Sequence, residues 1–193
     1  MIVSVFGNGE LDISSHNAPG VTIGSLAGRG SVLLGSNTLT IGSNNQSTTF
    51  SGVIHDSGGV TKTGTGTLTL TGNNTYTGNS IVTGGTLLAS NRRGSATGSG
   101  SVSVNSGTLG GKGIISGGVT IGTGSGTGAF LAPAAASVQP SSLTIQSALT
   151  FKADATYSYK LNTNKAKADQ VIAKGVTIAS GAQFDYAPWV TSN

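Results

Sequence analysis

Apolar residues two positions apart recur along the whole chain: Leu11/Ile13, Val21/Ile23, Leu39/Ile41, Leu68/Leu70, Val102/Val104, Val119/Ile121, Leu143/Ile145 and Val176/Ile178. Ser, Thr or Gly flanks each pair. A spacing of two puts both apolar members on one face of a strand and the hydroxyls on the other. Each unit is therefore a short strand of roughly three to five residues, dry on one side and wet on the other. Between the units lie Gly-Asn, Ser-Asn, Asn-Asn or Gly-Gly, residues that tolerate the positive φ of tight turns. No window of about eleven residues carries the 3.6-residue spacing of a helix. The fold class is all-β.

Two all-β architectures compete. A sandwich packs longer strands around an aromatic-rich core, whereas aromatics are 5% of this chain. Slim Val, Ile and Leu suit the narrow interior of a coil whose rungs stack about 4.8 Å apart. At about 20–25 residues per coil the chain makes roughly seven to nine rungs. The run Gly107–Gly128 reads as one such coil with very small corners. Charged residues are only 8% and glycines number 32, a mixture also met in disordered linkers. The regular apolar spacing argues for order, because such linkers lack it.

The stretch Ser51 to Ser90 concentrates the pattern. Leu68 and Leu70 face one way and Thr67, Thr69 and Thr71 the other. Gly72, Asn73 and Asn74 turn the chain, Tyr76-Thr77 begins a second short strand, and Ile81-Val82 begins a third. Gly84-Gly85 turns again before Thr86, Leu87 and Leu88. Inside it, Gly58-Gly59, Lys62, Gly64, Gly66, Leu68, Leu70, Gly72, Asn74-Thr75-Tyr76 and Gly78 fall at the spacing Gly-Gly-x-x-Lys-x-Gly-x-Gly-x-Leu-x-Leu-x-Gly, followed by Asn-Thr-Tyr-x-Gly. This run resembles the passenger-associated strand repeat of bacterial autotransporters, and the flanks resemble that family more loosely. The resemblance implies a parallel β-helix displayed at the bacterial cell surface or secreted. With the right-handed preference of parallel crossovers, it also implies a right-handed helix. It implies as partner an outer-membrane translocator barrel, which this chain lacks, and no direct insertion of the chain into a membrane.

The C-terminal quarter differs. Phe151, Ala153, Ala155, Tyr157, Tyr159 and Leu161 fall on one face of what reads as a single long strand. Asn162–Asp169 is a polar loop. Val171-Ile172, Val176/Ile178 and Phe184/Tyr186 give further strands, and Trp189 closes the chain. Residues 1–150 thus read as β-helix coils. Residues 151–193 read as a C-terminal β cap of the same continuous solenoid, protecting its last rung from edge pairing. The segment Ala168–Ile178 resembles the end region of autotransporter passengers, which implies an autochaperone-like role in starting passenger folding.

Chemistry is sparse. Without cysteine there is no disulfide, thiolate site or cysteine nucleophile. Met1–Phe6 has neither the basic start nor the apolar length of a signal peptide, so an exported chain of this kind is expected to be a piece of a longer polypeptide. The apolar runs are too short to span a bilayer. His55-Asp56 is the one adjacent His–acid pair, and strand neighbours point to opposite faces unless a turn intervenes. His16 sits in a loop. Gly124–Ala129 mimics a dinucleotide fingerprint but precedes no helix, so it reads as turn glycine. The six acids, Glu10, Asp12, Asp56, Asp154, Asp169 and Asp185, are dispersed, although Glu10 and Asp12 share a face. Asn45 and Asn73 open glycosylation-like triplets that a chain rich in Asn, Ser and Thr produces by chance.

The net charge is +4, and most of the excess lies beyond residue 90. Arg92-Arg93, the one adjacent basic pair, reads as a solvated turn. Aromatics do not interleave with the cations, so no nucleic-acid partner is expected. No catalytic, cofactor-binding or metal-binding residue is assigned, and no enzyme activity is expected. The expected function is a structural stalk whose C-terminal part aids folding. Two alternatives remain: an adhesion module binding host glycan or protein, and a polysaccharide-cleaving β-helix enzyme.

Overall fold

In the computed structural model, which describes residues 1–17, 20–135, 137, 139–162 and 165–188, the chain winds as a parallel β-helix. Three short strands make each of the first coils: β1 (Ile2–Val5), β2 (Glu10–Asp12) and β3 (Val21–Ile23); then β4 (Ser25–Gly28), β5 (Ser31–Leu33) and β6 (Thr38–Ile41); then β7 (Thr48–Phe50), β8 (Val53–His55) and β9 (Gly59–Lys62). The middle coils contain β10 (Thr67–Leu70), β11 (Ser80–Val82), β12 (Thr86–Ala89) and β13 (Val102–Val104). Next come β14 (Gly107–Gly111), β15 (Ile114–Ile115), β16 (Val119–Ile121) and β17 (Ala129–Ala132). The last turns are β18 (Ser142–Phe151), β19 (Ala155–Asn162), β20 (Lys167–Ala168), β21 (Gln170–Ile178) and β22 (Gln183–Pro188). The described residues contain no α-helix.

The strands stack into sheets that run the length of the molecule. One follows the order β1-β4-β7-β10-β12-β14-β17-β19, with β22 also on β19. A second follows β3-β6-β9-β11-β13-β16-β18, with β21 on β18. The third side, β2-β5-β8, is a ladder only in the first coils. Every pairing is parallel except that of β20 with β19. A parallel strand per coil, with no intervening helix, separates this coil from a sandwich.

Register turns the spacing of two into continuous interior columns. One runs Val21, Leu39, Val60, Ser80, Val102, Val119, Leu149, Val176; its neighbour runs Ile23, Ile41, Lys62, Val82, Val104, Ile121, Phe151, Ile178. From Leu39 to Leu149 every member is at most 3% exposed. Burying one such aliphatic side chain stabilises the fold by roughly 1.5–3 kcal/mol. The corners must be tight, and glycine makes them so. Gly42 has φ +124°, and a Cβ there would run into the Thr63 carbonyl of the next coil.

Two expectations change. Tyr76-Thr77 is not a strand: the Asn74 side chain takes the Ile54 N–H and the Ala96 carbonyl, and the backbone bonds that remain, such as Thr75 N–H to the Ile54 carbonyl, do not form a regular ladder. The long strand expected across Phe151–Leu161 is two, since residues 152–154 turn the chain from β18 in one sheet to β19 in the other. The alternation survives the turn, with Phe151 and Ala155 both buried. From Ala155 onward the same two sheets continue. The uppermost layer lies open through Pro188, with Val176, Ile178, Phe184 and Tyr186 exposed at 55, 52, 50 and 47%. Trp189, expected to close the chain, lies outside the described residues.

Candidate functional site

The repeat-like stretch is where polar groups enter the interior. Lys62 shares its strand face with Val60, so alternation turns it inward, where it is 2% exposed. Its ammonium donates to the carbonyls of Thr63, Gly64 and Gly84 at 2.6, 3.3 and 3.2 Å. Among the described residues no carboxylate forms a salt bridge with it; three carbonyl dipoles, from its own coil and the next, hold the charge. Desolvation lowers its pKa from the ordinary lysine value. The cation therefore ties two corners together at the point where the apolar column is interrupted.

Asn74 does the equivalent work on the third side. Its Oδ1 accepts from the Ile54 N–H of the preceding coil at 2.8 Å, and its Nδ2 donates to the Ala96 carbonyl of the following coil at 2.6 Å. One buried amide thus replaces two ladder bonds. Tyr76, fully buried, brings its hydroxyl to within 2.6 Å of Ser80 Oγ, the polar member of the other column. Burial drives the Tyr76 phenol above its usual range, with the Ser80 hydrogen bond opposing it. Lys62, Asn74 and the Tyr76–Ser80 pair are three separate polar contacts inside a largely aliphatic shaft.

One coil later a trough opens on the surface. Thr71, Asn73, Ser90, Arg92, Arg93 and Lys112 line a depression of about 580 Å³. A second depression, of about 340 Å³, shares Ser90, Arg92 and Lys112 with it. Asn91, 4% exposed, fixes the loop beneath: its Nδ2 donates to the Arg93 carbonyl at 2.9 Å and its Oδ1 accepts from the Ile114 N–H at 2.8 Å. Asn73 Oδ1 accepts from the Ser95 N–H at 3.1 Å, and Gly94, at φ +65°, makes the turn between them.

Residues 60–89 match the family model described as the passenger-associated-transport-repeat. This stretch is an autotransporter passenger repeat. No curated protein matches the chain. The repeat begins at β9 and ends at β12, so Lys62, Asn74, Tyr76 and Ser80 all fall within it. Repeats of this family are structural passenger elements, and the family is one of surface-displayed or secreted proteins.

Outside the repeat, the residues that drew attention in the sequence take structural places. Asp56 adopts φ +83°, and this turn lets His55 Nδ1 approach Asp56 Oδ1 to 2.9 Å, so the pair that a regular strand would separate does form. The other Asp56 oxygen accepts the Gly35 N–H at 2.9 Å. That backbone bond is the largest influence lowering its pKa. Glu10 and Asp12 lie on one exposed face of β2. His16 is exposed, as expected of a loop residue.

The Gly124 run does cradle an anion, but one of the protein's own. Asp154 accepts from Gly124 N, Gly126 N, Thr123 N and Thr123 Oγ1 at 2.6, 2.9, 3.1 and 3.1 Å. Burial alone would raise the Asp154 pKa; these hydrogen bonds outweigh it and bring it down to about 2. Asn45 Oδ1 accepts the Thr65 N–H at 2.9 Å, so Asn45 and Asn73, the two glycosylation-like asparagines, each tie neighbouring coils together. Among the described residues no group of three or more His, Cys, Asp or Glu is arranged to hold a metal. No described helix is long and apolar enough to cross a membrane.

Sequence reasoning passed over Lys62, Ser80 and the trough. Lys62 and Ser80 carried a readable signal: each sits two residues from a buried valine, Val60 and Val82, on the same strand. Lys112 lies about one coil length beyond Arg92-Arg93, which was the signal that the three cations meet.

Proposed function

We propose that this chain is a rigid structural segment of a surface-displayed passenger, a β-helical stalk that carries or spaces other parts of the polypeptide. The observation supporting this reading is the interior column kept in continuous register from Leu39 to Leu149, running through a passenger repeat in which Lys62 and Asn74 bond to adjacent coils. A coil that uses its buried amides and its lysine to bind its own neighbours is built for continuity. Stiffness follows, because bending must break ladder bonds on at least one side. In this role the segment sits at the cell surface, ahead of a translocator barrel, and its C-terminal coils, from Phe151, aid folding of those before them.

Display tests the stalk. The chain is placed between an epitope tag and an outer-membrane barrel, and tag accessibility and protease resistance are measured on cells. A stalk gives a protected segment with a fully accessible tag, and Leu70→Asp abolishes the protection. A wild-type segment cut as readily as that variant would overturn the reading. Refolding yield after removal of residues 151–193 tests the folding role separately: equal yield without them would eliminate it.

A further inference from the structure

The trough formed by Arg92, Arg93 and Lys112 is not used by the coil. Arg92, Arg93 and Lys112 are all exposed. The His55–Asp56 contact is the one salt bridge among the described residues, so none of the three cations is paired with an acid there. Among the described residues no acidic residue lines either depression. Like charges gathered without counter-ions repel one another, and burying contacts elsewhere does not require them here. The loop that presents them is nevertheless held at both ends. Asn91 clamps it to Ile114 in the coil after, and Asn73, in the coil before, clamps it through Ser95. A site ordered in advance loses less conformational freedom on binding.

The chemistry around the cations narrows the ligand. The arginines belong to one coil and the lysine to the next, so positive charge extends along the solenoid axis over one coil step of about 4.8 Å. A linear polymer with repeated anionic groups can engage such a row. Guanidinium forks pair with sulfate or carboxylate through two parallel hydrogen bonds. Thr71, Asn73 and Ser90 line the same walls and offer hydroxyl and amide partners suited to sugar hydroxyls. Among the described residues no aromatic side chain lines the trough, so it lacks the stacking platform that single-stranded nucleic acid uses.

We propose that this trough binds a linear acidic polysaccharide, with Arg92, Arg93 and Lys112 engaging its sulfate or carboxylate groups. The site gives the segment a recognition role beyond that of a stalk. It does not depend on the stalk reading, since either stands if the other fails.

The test uses the folded full chain and two probes, heparin for sulfate and polygalacturonate for carboxylate alone, titrated calorimetrically in low salt. The triple variant Arg92→Ala/Arg93→Ala/Lys112→Ala is compared with Lys165→Ala/Lys167→Ala/Lys174→Ala, which removes equal charge from exposed sites elsewhere. The expected result is binding of at least one polymer, weakened about tenfold or more in the trough variant and less than about twofold in the control. The polymer that binds identifies the anionic group. Arg92→Lys/Arg93→Lys keeps the charge and the fold, and is expected to weaken binding several-fold because the fork geometry is lost. Failure of both polymers to bind, or equal losses in the trough and control variants, would overturn the proposal. So would single-stranded DNA binding as tightly as the better polysaccharide, since charge alone would then explain the affinity.

Discussion

The middle and the end of this solenoid solve the same closure problem with opposite chemistry. Around the repeat, side chains reach an adjacent coil over separations of 20 to 22 residues, and the interior is mostly aliphatic apart from Lys62, Asn74, Tyr76 and Ser80. The corner groups there are an ammonium and amides, Lys62 and Asn74, supplying donors to carbonyls and, through Asn74 Oδ1, one acceptor. Toward the C-terminus the reach grows to 28 and 31 residues. Strands lengthen to 10 residues in β18 and 9 in β21. The wider shaft is filled by aromatic rings: Phe151, Tyr157 and Phe184 pack with centroids 5.9 to 6.2 Å apart. Its corner groups are carboxylates, Asp154 and Asp169, which accept backbone N–H groups. Coil perimeter thus sets the size of the interior residue, and the sign of the corner group decides how each region responds to acid.

Breaking an interior column gives the largest expected effect. Leu70→Asp places a charge at a position 0% exposed in the aliphatic region and is expected to cost more than about 4 kcal/mol, enough to remove cooperative melting followed by circular dichroism. Unchanged melting would show that Leu70 does not face the shaft. Next, Asn74→Leu strands the Ile54 N–H and the Ala96 carbonyl, with an expected loss of about 2–4 kcal/mol in denaturant titration. Asn73→Ala, on the exposed side of the same turn, is expected to cost less than about 1 kcal/mol. Equal losses would mean that the amide staple is no more than a turn preference.

The contrast sharpens with one substitution made in two places. Val104→Ser, at 0% exposure, is expected to cost about 2 kcal/mol. Val176→Ser, same face and same sheet but 55% exposed in the open layer, is expected to stay within about 0.5 kcal/mol. A large loss at Val176 would show that something covers that layer in solution.

The smallest effect is the acid response. Asp154 titrates near 2 in the folded chain against 3.8 for a free carboxyl. Its hydrogen bonds therefore stabilise the fold fully above pH 3.8, and that contribution disappears as pH falls through about 2. Near-UV circular dichroism, to which the packed rings of Phe151, Tyr157 and Phe184 contribute, is expected to report loosening over that window, and Asp154→Asn is expected to flatten the response. Identical acid profiles for Asp154→Asn and the unaltered chain would remove the electrostatic half of the comparison.

Much of this fold can be read from spacing alone. Leu68/Leu70, Val102/Val104 and Val119/Ile121 face inward as alternation requires, and the scarcity of aromatics distinguishes a coil from a sandwich. What alternation does not convey is identity at an inward position. Lys62 and Ser80 obey the pattern, yet by type they look like surface residues; only the carbonyls and the tyrosine hydroxyl of adjacent corners make them tolerable inside. On the third side Asn74 and Tyr76 do alternate inward, and that spacing reads as a strand whether backbone groups or a side-chain amide make the bonds, so it does not reveal the staple. The trough joins residues a whole coil apart, and a linear reading of Arg92-Arg93 sees a solvated turn. The His55–Asp56 contact depends on one positive φ, which composition does not encode.

The register of the ladders also has a consequence for length. The contacts that join coils are made one layer away, whether Leu68 on Leu87 or Asn74 between Ile54 and Ala96. A layer could be duplicated or excised in phase with the columns, and every remaining layer would meet a neighbour of the same kind. Reach is then an adjustable dimension of such a protein, changed by counting layers rather than by redesigning a core.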